Sequence, residues 1–393
     1  MHLNRSVALA CGGLVALAAA VGIGRFVYTP ILPVMLDALG WSKAEAGLVA
    51  SANYLGYFIG ALAAGRPFVS AQPRQWLLTA LAVSAMSTAG MALPSEITWF
   101  IGLRFVGGMA SAFVIVCAST LVLERLSLSG RGSLSAVHFA GVGIGIMISA
   151  VAVSAILAAG ADWRGLWIGS GSIAMLAVSV VALLIPAHDG VKAAPKPGYK
   201  GGASVRLVSM IVAYGLFGFG YVITATFLVA IVRLTNEIRV LEPWIWMLFG
   251  LASVPSITVW CRLGERIGLM NAFAVACVVE AIGVAASVEW VTISGVCLSA
   301  ILLGGTFMGI TALGLVIAQG LSGGQSQRAV GRMTASFGVG QMVGPTLAGS
   351  LFEQFGSFRA ASLVAVAALI VSASLAVWTA SGVVRDASQH RIA

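Results

Sequence analysis

Arg25 is the residue in this chain best suited to hold a charged guest. It follows Gly22-Ile23-Gly24 inside an apolar stretch that runs from about residue 7 to 36. A guanidinium at membrane depth costs roughly 2.5–3.5 kcal/mol on insertion scales, so the side chain must face water or a partner. Two chemistries meet that need. One is bidentate capture of an anion such as a carboxylate or phosphate. The other is a structural ion pair or a side chain that snorkels outward. Tyr28 and Thr29 lie one turn on, on the same helix face. Pro30 and Pro33 lack N–H groups, so the spacing predicts that the carbonyls of Phe26 and Thr29 lose helical partners and that the helix bends there.

Other polar side chains fall inside apolar stretches. Asn53 and Tyr57 share a face in the second stretch. Tyr221 and Thr224 stand where an internal repeat places them opposite the Arg25 cluster, and Gln341 lies beside a bend at Pro345. Together they could supply hydrogen bonds and aromatic surface to a small ligand, although each type also serves in helix packing. Glu280 is the one carboxylate read as deep in the membrane; it suits a proton carrier or a partner for an arginine. His138 is the one histidine within a span, suited either to a proton relay or to a packed or gating position. Arg104 lies about 10 Å inside one membrane face by helix rise, where it could simply snorkel.

Several chemistries are excluded. No HExxH is present and no CxxC, so a zinc enzyme is not indicated. No GxxxxGK[ST] loop is present, so the chain does not itself hydrolyse ATP. The five cysteines are isolated and read as small buried hydrophobes. Neither a catalytic residue, a metal site nor a cofactor is expected. A channel or a non-transporting receptor remains open.

The elements that must position these residues are membrane spans. Hydrophobic residues make up 59% of the chain and charged residues 9%, where a soluble domain carries about 25% charged. Each crossing needs roughly 20 apolar residues. Twelve stretches qualify, at about 7–36, 44–65, 75–94, 97–123, 134–159, 165–186, 206–234, 243–261, 269–287, 290–319, 333–354 and 359–380. They are too long for barrel strands of about 10 residues and satisfy their backbone as helices. The first stretch outruns a signal peptide and reads as a span.

The stretches repeat. Gly107-Gly108 and Gly141-Val142-Gly143 recur 197 positions later as Gly304-Gly305 and Gly338-Val339-Gly340. The chain therefore divides into a six-helix bundle at 1–186, a polar, basic linker at 187–204 and a second six-helix bundle at 205–393. The expected fold is an all-α membrane protein of twelve helices in two pseudo-symmetric bundles. A chain built this way holds its cargo near the midplane, between the repeats.

The net charge of +9 does not imply nucleic acid. Arg66, Arg74, Arg125, Arg131, Arg262, Arg266, Arg328 and Arg332 fall at one set of span ends, and few cations fall at the other. The positive-inside rule makes the first set cytoplasmic, with both termini. The expected partners are a small-molecule solute and the lipid bilayer, and the expected unit is a monomer in a bacterial inner membrane.

Local motifs carry a family resemblance. Arg104-Phe105-Val106-Gly107-Gly108 resembles the RxxxG motif of the fourth helix in the major facilitator superfamily. Leu263-Gly264-Glu265-Arg266-Ile267-Gly268 resembles its LxDRxG loop, with Glu265 in place of Asp. The matching first-half loop, Gly65-Arg66-Pro67, lacks the acid. Gly340-Gln341-Met342-Val343-Gly344-Pro345 resembles the Gly-Pro bend of its eleventh helix; the fifth-helix counterpart around Gly141 lacks the proline. The first span resembles the bacterial YbfB/YjiJ-like branch. The resemblance implies alternating access driven by an ion gradient, with Arg104, Gly108, Glu265, Arg266, Gly344 and Pro345 as conformational motif residues. It leaves the cargo open between an organic anion, which Arg25 suggests, and an amphipathic drug-like compound, which the aromatic residues suggest.

Overall fold

The computed structural model describes residues 2–93, 96–186, 205–322 and 326–389. The segment 187–204, expected to be the linker, lies outside the described residues. Among the described residues there are fourteen α-helices and no strands.

The first crossing is interrupted. It runs through α1 (His2–Leu17), a π-helical stretch at Ala18–Ile23, a four-residue turn and α2 (Tyr28–Leu39). The first bundle continues with α3 (Lys43–Ala64), the short α4 (Pro67–Ala71), α5 (Pro73–Gly90), α6 (Ile97–Leu128), α7 (Ser135–Ala158) and α8 (Trp163–Leu184). The second bundle holds α9 (Val205–Leu234), α10 (Glu242–Ile267), α11 (Leu269–Glu289), α12 (Ile293–Gly320), α13 (Ser326–Phe355) and α14 (Arg359–Gln389).

Ten crossings are long and apolar enough to span a membrane by composition alone. The two others, α5 and α13, are more polar: α5 opens on Pro73-Arg74-Gln75, and α13 carries Arg328, Arg332, Glu353 and Gln354 toward its ends. α5 buries Ser84, Ser87 and Thr88, and α13 buries Gln341.

Local signals set the helix ends. Ser42 and Glu45 form a reciprocal capping box at the start of α3. Asp162 accepts from the Gly165 N–H at 3.0 Å to open α8. Gly40 closes α2 at φ 66°, a left-handed conformation that favours glycine.

Small residues set the helix spacing. A Cβ on Gly108 would overlap the Asn53 backbone, so glycine there lets α6 lie against α3. In the second bundle a Cβ on Gly344 would meet Val222 Cγ1 at 2.6 Å, which keeps α13 close to α9. Across the seam between bundles, α3 runs along α13 and α7 along α10, while α2 meets α9.

Candidate functional site at the bundle seam

Arg25 sits in the turn between the π-helical stretch and α2, and only 5% of it is exposed. Its partners are protein groups on both sides of the seam. Nη2 donates to Gln341 Oε1 of α13 at 2.8 Å. Gln341 Nε2 in turn donates to the Tyr221 hydroxyl of α9. The guanidinium lies over the rings of Tyr57 and Tyr54, 4.4 and 4.6 Å from their centroids, and 5.6 Å from that of Phe26. Its Nε is buried and makes no hydrogen bond. Among the described residues no carboxylate pairs with it.

The first helix breaks close to its prolines, but upstream of them and not at the expected Phe26 carbonyl. Gly24 and Phe26 donate five residues back, to Ala19 at 2.8 Å and Val21 at 3.1 Å. That wider turn shifts the ladder. Phe26 keeps a partner because the Thr29 N–H reaches its carbonyl at 3.2 Å. Arg104 instead supplies side-chain donors to Gly24 and Arg25, through Nη1 to the Gly24 carbonyl at 3.1 Å and Nη2 to the Arg25 carbonyl at 2.9 Å. The same guanidinium lies 5.0 Å from the Tyr28 ring. Arg104 does not snorkel; it is buried and spans the break.

Of the eight residues proposed to bind solute, Arg25, Tyr57, Tyr221 and Gln341 come together. Three of the others take different partners. The Tyr28 hydroxyl donates to the Ala46 carbonyl at 2.9 Å, and the Thr29 hydroxyl crosses the seam to the Ala225 carbonyl at 3.0 Å. Asn53 Nδ2 donates to the Arg104 carbonyl at 2.9 Å. Thr224 is fully buried with an unpartnered hydroxyl.

The other predicted residues lie apart from this cluster. Glu280 is fully buried on α11, and neither carboxyl oxygen makes a hydrogen bond. His138 is packed: Gly13 lies against its ring and Ser119 Oγ is 3.4 Å from Nε2. Glu265 and Arg266 are exposed in the last turn of α10. Gly344 and Pro345 lie inside α13, and the Pro345 carbonyl abuts Gly47 of α3.

Sequence reading missed the aromatic wall. Two tryptophans near one end of a span, Trp244 and Trp246, read from the sequence as an interfacial aromatic anchor; Trp246 is instead fully buried at the seam, while Trp244 is 58% exposed. Trp246 lies 6.3 Å from Phe26 and stacks on Phe249 at 4.6 Å. Phe307 of α12 stands 6.1 Å from Phe26 and 5.8 Å from Tyr221, and Phe337 of α13 stacks on Tyr221 at 5.9 Å. The i, i+3 spacing of Tyr54 and Tyr57 could have revealed Tyr54. Phe307 and Phe337 sit in apolar runs that carry no distinguishing mark.

A family model described as "Uncharacterised MFS-type transporter YbfB" matches residues 17–377. The chain belongs to this family of the major facilitator superfamily. It is a multi-pass membrane protein of a transporter family, not an enzyme. Solved structures agree in fold. The nucleoside transporter NupG superposes with a TM-score of 0.71 at 14% identity, covering 96% of this chain and 99% of that one. A point variant of NupG gives 0.72 at 15% identity, covering 95% and 99%. A bacterial homolog of the human lysosomal transporter Spinster, inward-facing and occupied, gives 0.70 at 13% identity, covering 94% and 96%. No curated protein matches the chain.

Proposed function

We propose that this transporter moves a small organic anion across the bacterial inner membrane by alternating access, coupled to protons, with Arg25 as the anion seat. One observation carries the reading: a buried guanidinium with no acid partner, bonded across the seam only to a neutral amide. An arginine kept for structure alone would be expected to pair with a carboxylate or, as Arg104 does, with backbone carbonyls. Here an anionic guest completes the charge.

Hydrogen bonds across the seam include Arg25–Gln341, Thr29–Ala225, Lys43–Glu353 and Asp37–Arg233. They lie at the level of Arg25 or toward the end away from the termini. The positive-inside distribution makes the terminal end cytoplasmic, which fits a state closed toward the outside. Glu280, buried and unpartnered, suits the proton site better than His138, which is wedged by packing. The similarity to NupG, a nucleoside transporter, fits a small polar solute; the aromatic wall keeps the amphipathic drug-like compound as the second reading. The protein works as a monomer.

Thermal unfolding of the purified protein against metabolite anions and antibiotics tests this. Some anions should stabilise the protein, and Arg25→Gln should stay folded and lose that response. Stabilisation by the same anions in both proteins overturns the anion seat.

A further inference from the structure

We infer that the guest at Arg25 is a planar aromatic monocarboxylate; this rests on the anion reading above. The first argument is the state of the guanidinium fork. Nε and Nη2 share one edge of the plane, the edge a carboxylate engages with two parallel hydrogen bonds. Gln341 Oε1 occupies the Nη2 position at 2.8 Å, and the buried Nε has no acceptor. The amide oxygen thus fills half of a two-pronged seat. A carboxylate that displaces it satisfies both prongs and leaves Gln341 held by Tyr221.

The second argument is the number of displaceable partners. Arg25 and Arg104 are the only buried arginines or lysines among the described residues. Arg104 is held at Nη1 and Nη2 by the backbone carbonyls of Gly24 and Arg25, which cannot swing aside as a side-chain amide can. Arg25 alone therefore offers an edge to a guest. A single carboxylate fits that one edge, whereas a phosphate brings three acceptor oxygens that one edge does not satisfy.

The third argument is shape. Phe26, Tyr54, Tyr57, Tyr221, Phe307 and Trp246 surround or adjoin the seat, from α2's entry turn and from α3, α9, α12 and α10. Aromatic walls favour a flat partner in offset or edge-on contact over an aliphatic one of equal size. The buried Trp246 N–H has no acceptor either, so the wall offers a second vacant donor beside Phe26.

Binding to the purified full chain is measured by thermal shift and calorimetry with benzoate, cyclohexanecarboxylate, acetate, benzamide and inorganic phosphate. Benzoate should bind tightest, roughly tenfold tighter than acetate, which corresponds to about 1.4 kcal/mol. Benzamide should bind weakly because it lacks the charge. Arg25→Gln should abolish the benzoate response, and Arg25→Lys, which keeps the charge without the fork, should reduce it while reporting on a folded protein. If acetate, phosphate or cyclohexanecarboxylate binds as tightly as benzoate in an Arg25-dependent way, the aromatic class is overturned and the anion seat stands. If no anion binds in an Arg25-dependent way, both are overturned.

Discussion

Arg233 Nη2 donates to Asp37 Oδ2 at 2.6 Å, and the two residues are counterparts in the internal repeat, whose offset at the first helix of each half is 196, as Gly22-Ile23-Gly24 and Gly218-Phe219-Gly220 show. The Thr29 hydroxyl and the Ala225 carbonyl stand in the same relation, also 196 apart. Contacts between equivalent positions are what a two-fold interface produces. The pseudo-symmetry axis therefore passes between α2 and α9, and the end of the seam away from the termini closes on it.

Arg233 also donates to Glu242 at 3.1 Å, so it tethers α9 to its neighbour α10 while reaching Asp37. Asp37 is largely exposed, so the pair contributes at most about 1 kcal/mol. Arg233→Gln should raise labelling of a cysteine placed at Thr29, in a cysteine-free background, by an impermeant thiol reagent added outside. The swap Asp37→Arg with Arg233→Asp should restore protection. Equal labelling in all three proteins would mean that this contact does not hold the seam.

Arg104 makes two charge-assisted hydrogen bonds to carbonyls that flank the break. A buried carbonyl deprived of its donor costs about 1–3 kcal/mol. Arg104→Gln should lower the unfolding temperature clearly, and Arg104→Lys should recover only part, because one ammonium cannot straddle two carbonyls in the planar geometry of a guanidinium. A lysine variant as stable as the parent would show that charge alone suffices.

Gly108 and Gly344 face backbone or side chains of the neighbouring helix with no room for a methyl group. Overpacking of this kind costs about 1–3 kcal/mol. Gly108→Ala should be the more damaging, since it meets the Asn53 backbone, which cannot rotate away, while Gly344→Ala meets the tip of Val222. Unfolding temperatures of the two variants decide the order.

Glu280 presents two buried oxygens without hydrogen bonds, which suits a group that takes up and releases a proton. Glu280→Gln should abolish accumulation of labelled solute driven by a pH gradient in proteoliposomes while exchange of solute across the membrane continues. Undiminished accumulation would assign proton coupling elsewhere.

The chain made the broken first helix and its buried arginine legible, because a charge and two prolines stand out in an apolar run. It did not reveal which carbonyls Arg104 would serve. That depends on five-residue turns at Gly24 and Phe26, which shift the register and which nothing in the residue types announces. Gln341 was visible as a polar residue near a proline, but its bond to a residue 316 positions away is a property of bundle docking. Trp246 was misplaced for a simple reason. Two tryptophans near a span end suggest an interfacial belt, yet two residues along a helix turn the side chain by about 200°, so one faces out and the other faces the seam.

The most discriminating change at the seat is Gln341→Glu. The substitution is close to isosteric and places a carboxylate oxygen where the amide oxygen now accepts from Arg25 Nη2 at 2.8 Å. The charge that a guest would satisfy is then satisfied internally, by an acid on α13 that ties the first bundle to the second. A buried pair with both partners present and bonded gains more than either charge alone. The bond from Gln341 Nε2 to Tyr221 is lost, but the tyrosine hydroxyl can donate to the new carboxylate instead. The ligand-free variant should therefore unfold at the same temperature as the parent or higher, and anions should no longer raise it. Transport should stop, since the seam gains a lock that no guest displaces. If anions still stabilise Gln341→Glu as they do the parent, the guanidinium edge facing Gln341 is not where they bind.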